Sequence, residues 1–220
     1  MCWNAEVSLQ TFITGSIILL LLNLVGIELF VTALIFCILF IQLVEYFIWT
    51  YIKDKETVKY FTILTYLIIF FQPIILLSFL KYKYKIQLIS LYIILHIIIL
   101  LIFRIFFNMK YDFAPIIADN GHLNWNWTQN KEYMSFFYLI YNIAFLGAMF
   151  LYGNPIILLL SIVTLLYSMY NYTKYNTIAS MWCYVGNIAL FIFAIIHIWK
   201  KRKQIIKFLL KNNKKMKLPL

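Results

Sequence analysis

The 220-residue chain is short of charge, of glycine and of proline, and each shortage excludes something. Only 12% of its residues are charged, where a soluble domain carries about a quarter. A soluble fold of this length therefore lacks the polar surface it needs. Six Gly and four Pro are too few for a collagenous or linker chain. Three cysteines, Cys2, Cys37 and Cys183, form no CxxC and no paired framework, so neither a disulfide scaffold nor a zinc module is indicated. The three histidines are scattered and form no HExxH. No Lys lies inside the last apolar run, which argues against a retinal Schiff base.

What is present is apolar. Hydrophobic residues make up 64% of the chain and mean hydropathy is +0.86. Spans of about 20 apolar residues cross a bilayer as helices. Seven such runs occur, at residues 8–25, 29–52, 60–80, 86–107, 134–152, 155–172 and 177–199. The expected fold is all-α, an integral membrane bundle of seven transmembrane helices over residues 1–199, followed by a basic tail over 200–220. Helix, glycine-containing hairpin, helix, loop and helix recur in runs one to three and five to seven. That pattern suggests a 3+1+3 repeat arrangement with the fourth run as linker.

The net charge of +11 would suggest nucleic acid in a soluble protein. Here nine of the 19 basic residues fall in the last 21 positions, so the charge is a tail and no nucleic acid is expected. Its expected partners are the lipid bilayer and anionic headgroups. With seven spans the tail's side collects 12 Lys and Arg, against seven on the other. The positive-inside rule then places the N-terminus exoplasmic and the C-terminus cytosolic. The sequon Asn126-Trp127-Thr128 lies in the longest connection, on the exoplasmic side, which makes Asn126 a glycosylation candidate.

Ionisable groups inside a span are costly and face the bundle interior. Gln42, Glu45 and Trp49 share one face of the second span. Glu45 lies roughly 10 Å deep at 1.5 Å per residue. It reads either as a proton- or cation-binding carboxylate or as a structural glutamate bonded to a neighbouring helix. Trp182, Cys183 and Asn187 in the seventh span belong to the same half, as do Cys2, Asn4 and Glu6 at the N-terminus. So do His122 and Trp125 in the long loop, where the tryptophans read as ligand contacts or as a lid on the bundle. Trp49 and Trp199 read as interfacial anchors. Cys2, His122 and Cys183 are the metal candidates, with Cys2 alternatively a nucleophile, an inert thiol or half of a disulfide. No cofactor is identified. Gln72-Pro73 predicts a kink in the third span.

The opening Met1-Cys2-Trp3-Asn4-Ala5-Glu6-Val7-Ser8 occurs here with Gln42-x-x-Glu45-x-x-x-Trp49, Gly121-His122-Leu123-x-Trp125 and Ser180-Met181-Trp182-Cys183. Together they resemble a family of small multi-pass membrane proteins of giant DNA viruses and protists, with bacterial relatives, whose function is not established. The resemblance implies a functional exoplasmic cluster and a virion or host endomembrane location, and it implies no reaction. Three functions stay open on these residues: a transporter or receptor for a small solute, ion or lipid; a membrane enzyme or metal site using Cys2, Glu45, His122 and Cys183; or a structural membrane protein.

Overall fold

The computed structural model describes residues 4–215, with side chains from 4 to 201. Among them are seven helices long and apolar enough to cross a membrane. They are α1 (Ala5–Leu24), α2 (Leu29–Thr50), α3 (Lys55–Phe79), α4 (Lys85–Phe106), α5 (Lys131–Tyr152), α6 (Pro155–Tyr172) and α7 (Ile178–Lys215). Two short strands, β1 (Ile116–Ile117) and β2 (Leu123–Asn124), form an antiparallel hairpin in the connection from α4 to α5. The basic tail starts as an unbroken continuation of α7, which stays helical to Lys215.

Side-chain caps set the helix starts. Asn4 Oδ1 accepts from the Val7 amide at 2.8 Å, and Asn130 Oδ1 accepts from Tyr133 at 2.7 Å. Asp54 Oδ1 accepts from the Glu56 and Thr57 amides, and the Thr57 hydroxyl, together with these amides, holds its carboxyl below the usual range. Such caps satisfy amides that have no partner within the helix. They also explain why α3 and α5 begin before the expected 60 and 134. Their first turns, Lys55-Glu56 and Lys131-Glu132, are helical but polar, so hydropathy misses them. Asn154 caps α6, with Pro155 in its first turn. Gly153, at φ 79°, makes the tight reversal out of α5.

Neighbours in sequence are neighbours in space. Helix α1 packs on α2, α2 on α3, and α3 on both α4 and α5. Helix α6 lies between α5 and α7, and α7 returns to α1 and α2. This closes a ring of α1, α2, α3, α5, α6 and α7, with α4 outside on α3 and α5. The ring does not establish the 3+1+3 division. Helix α2 is the most buried, α1 and α4 the least.

Helix α1 turns Ser8, Gly15 and Leu22 inward, at intervals of seven. The face is marked by small residues, because in lipid an apolar side chain gains nothing by turning inward. A Cβ at Gly15 would collide with the Leu39 side chain of α2. At mid-membrane, Gln72 beside Pro73 ties three helices together. Its Nε2 donates to Cys37 O on α2 at 3.1 Å, and its Oε1 accepts from Tyr141 Oη on α5 at 2.7 Å.

Candidate functional site

The face of the bundle on the N-terminal side is closed by residues 107–130. Arg104 Nη1 donates to Met109 O at 2.6 Å as the chain leaves α4. The two ends of the loop then hold each other. The Asp112 and Phe113 amides both donate to Trp127 O, and Thr128 Oγ1 donates to Lys110 O at 2.7 Å. The hairpin tip is tied to the start of α7. Asn120 Nδ2 donates to Thr177 Oγ1 at 3.0 Å, and Ser180 Oγ donates to Leu123 O at 2.6 Å. The loop is therefore a built lid with its own hydrogen bonds.

Two tryptophans plug it. Trp125 and Trp127 are buried and stacked on each other, with centroids 6.3 Å apart. Trp127 packs edge-on against Tyr66 of α3 and Phe137 of α5, and tilts over Tyr138. Beside it, Tyr111 and Tyr133 bring their hydroxyls within 2.7 Å, and Tyr66 joins at 3.2 Å from Tyr111. Among the described residues neither Trp125 Nε1 nor Trp127 Nε1 has a hydrogen-bond partner. His122 is buried in the same lid, its ring edge-on to Tyr172 at 5.7 Å, and burial lowers its pKa from 6.5.

Below the lid lies a polar centre on α2. Gln42 and Glu45 are both 0% exposed, and Gln42 Nε2 donates to Glu45 Oε2 at 2.9 Å. The one ionisable residue inside this span is thus turned wholly inward, as the sequence requires. The Glu45 carboxylate lies within electrostatic reach of the Cys183 thiol on α7, as does the Tyr138 hydroxyl. Asn187, one turn along α7, is buried and donates from Nδ2 to Cys183 O at 2.8 Å.

Cys183 also lines a cavity of about 50 Å³ enclosed by α2, α3, α5, α6 and α7. Gln72, Tyr141, Ser161, Thr164 and Trp182 supply the rest of its polar lining, with Ser161 Oγ donating to Ile157 O at 2.9 Å. Trp182 Nε1 donates to Thr164 Oγ1 of α6 at 3.0 Å, and its ring packs on Tyr141 and Phe145.

The opposite face is closed differently. The reversal between α1 and α2 is held by Tyr152 Oη, which donates to Glu28 Oε2 at 2.9 Å, and by Lys201 Nζ, which donates to Gly26 O at 2.9 Å. The Tyr152 ring stacks on Phe30 at 4.1 Å.

The expected candidates thus separate. Gln42, Glu45, Cys183 and Asn187 share one buried region, with His122 and Trp125 in the lid at the same face. Trp182 looks toward α6 and the cavity. Trp49 is half-buried against the core, and among the described residues its Nε1 has no hydrogen-bond partner, so it is not a purely interfacial anchor. Trp199 is 67% exposed, as an anchor would be. Asn4 and Glu6 are exposed on α1, where Asn4 caps the helix and Glu6 accepts from Gln10. Cys2 lies outside the described residues, so its metal, nucleophile and disulfide readings gain no geometry. Cys183 is a free thiol, and among the described residues no three His, Cys, Asp or Glu converge as a metal set. Asn126 is half-buried and Thr128 of its sequon is buried and bonded, unlike the open loop that attachment needs.

Sequence reading missed Tyr66, Tyr133, Tyr141 and Thr164. With 17 Tyr in the chain, nothing marks the few whose hydroxyls join helices. No protein-family model, no curated protein and no solved structure matches the chain.

Proposed function

We propose that the chain is a transporter for a small solute or ion, with Glu45 as its charge-bearing residue, in a state closed at both faces. The observation that carries this reading is the burial of Glu45 beside Gln42, beneath a folded lid and next to a cavity. An ionisable side chain buried inside a span is costly even part-way from its end, so it marks a solute or proton path by default. A polar centre between two closed ends is what alternating access passes through as the gates exchange. On this reading the lid faces the exoplasm and the α1–α2 reversal faces the cytosol. The basic continuation of α7 rests on anionic headgroups there. The resemblance to the viral and protist membrane family agrees with a cluster at the lid side.

Light scattering from proteoliposomes tests it. Purified protein is reconstituted and challenged with osmotic steps of small neutral, cationic and anionic solutes at several pH values. Wild type is expected to equilibrate one class faster than empty liposomes. Glu45→Gln is expected to return that class to the empty-liposome rate. Wild type indistinguishable from empty liposomes for every class would end the transport reading.

A further inference from the structure

The cavity behind Cys183 has a shape and a lining of its own. The residues that line it on α7 range from Trp182 to Phe193. Its polar groups lie together at mid-membrane. The end toward the α1–α2 reversal is walled by Val31, Ile157 and Phe193. Among the described residues no charged side chain lines it. Burying an ion there would leave it without a counter-charge, which excludes charged solutes.

Most donors at the polar end are already committed. Tyr141 donates to Gln72, Trp182 donates to Thr164, and Thr164 donates to Ser161 O. Gln72 differs. Its carboxamide carries two N–H groups and two oxygen lone pairs, and these bonds use one of each. One donor and one acceptor remain on a side chain only 1% exposed. A hydroxyl, donor and acceptor at once, matches that pair. The volume bounds the rest. About 50 Å³ exceeds the ~10–15 Å³ that one water needs, and falls well short of the ~300–1,000 Å³ of drug-sized pockets. A sugar neither fits nor finds donors around its ring.

We propose that this cavity is a binding site for a small uncharged amphiphile, an alkyl body carrying one hydroxyl, with the hydroxyl on Gln72 and the alkyl chain toward Phe193. The inference supplies a solute class for the transport reading, but its test reads binding alone. Gly186 makes the room. A Cβ there would meet only Ile38 Cγ2, at 4.0 Å, so an added methyl fills space without collision.

Cys183 reports on the site. In a Cys2→Ser, Cys37→Ser background it is the single thiol. Methyl methanethiosulfonate is small and neutral. The Cys183 sulfur attacks its sulfenyl sulfur, a methyl disulfide forms, methanesulfinate leaves, and the thiol proton passes to solvent. Mass spectrometry counts the adduct. Labelling is expected to be slowed several-fold by n-propanol, to be slowed by Gly186→Ala and to stop in Gly186→Val. Gln72→Leu is expected to abolish protection by n-propanol while labelling persists. Protection is expected to survive Glu45→Gln, which separates this site from the carboxylate. Labelling indifferent to n-propanol, or equally fast in Gly186→Ala, would overturn the proposal and leave a packing void. Should Gly186→Val fail to fold, Gly186→Ala and Gln72→Leu decide alone.

Discussion

The N-terminal face of the bundle is closed by a folded lid, while the opposite face is closed by short reversals and two exposed hydrogen bonds. The lid buries Trp125 and Trp127, the latter against α3 and α5, and pins its tip to the start of α7 through Asn120 and Leu123. At the other face apolar packing such as Tyr152 on Phe30 is joined by two exposed bonds, from Tyr152 to Glu28 and from Lys201 to Gly26. Buried aromatic packing is worth several times an exposed hydrogen bond. On the transport reading the two faces are therefore expected to differ in strength, and the face with the basic helix end to open first. Glu45 lies toward the lid end of α2, and the apolar end of the cavity toward the other face.

Truncating the lid's plug has the largest expected effect. Trp127→Ala removes a fully buried indole that touches α3 and α5, at a cost of about 3–5 kcal/mol. Thermal unfolding in detergent measures the loss. Carbodiimide labelling of the buried Glu45 in intact membranes is expected to rise at the same time, because loosening the lid opens the face of the bundle toward which Glu45 lies on α2. A variant that loses little stability and leaves Glu45 unlabelled would show that the lid is not the stronger seal.

That asymmetry was only partly legible in the sequence. The seven spans were, because about 20 apolar residues in a row have no other use. Glu45 was legible as an inward residue, since a carboxylate cannot face lipid. The inward face of α1 was not legible from hydropathy, because lipid and bundle are equally apolar and only the size of Ser8 and Gly15 marks it. Gln72 was visible beside Pro73, but its partner Tyr141 was hidden, because inter-helix bonds depend on which helices meet. The lid's tryptophans were conspicuous, whereas the main-chain bonds that make the loop a lid, from Asp112 and Phe113 to Trp127, leave no side-chain signature.

A smaller effect comes from pH. Burial keeps the His122 imidazole below its ordinary value of 6.5, so it stays neutral in the docked lid while the undocked chain takes up a proton. The contribution to docking is whole above pH 6.5 and declines as pH falls below it. The ring faces Tyr172, and the His122 carbonyl accepts from the Ala118 amide at 2.9 Å. Hydrogen exchange at Ala118, corrected for its intrinsic pH dependence, is expected to quicken on mild acidification. His122→Gln is expected to flatten that response. Protection unchanged from neutral to mildly acidic pH would remove the lid's sensitivity and leave the asymmetry purely one of packing.

The smallest effect belongs to the opposite face. Tyr152→Phe deletes the hydroxyl that bonds Glu28 but keeps the ring stacked on Phe30. Glu28 is exposed, so water replaces the lost donor and no buried group is stranded. The cost to global stability is expected to be under about 1 kcal/mol, in the range of exposed bonds. Local opening is the sharper readout. Amide exchange across residues 25–28 is expected to rise while exchange at Ala118 and Gly121 in the lid stays as it was. Should Tyr152→Phe cost as much as Trp127→Ala, or loosen the lid equally, the two gates would be of one strength. A face held by bonds that water can replace is expected to open at little cost, and on the transport reading that is the property a solute path needs at the apolar end of the cavity.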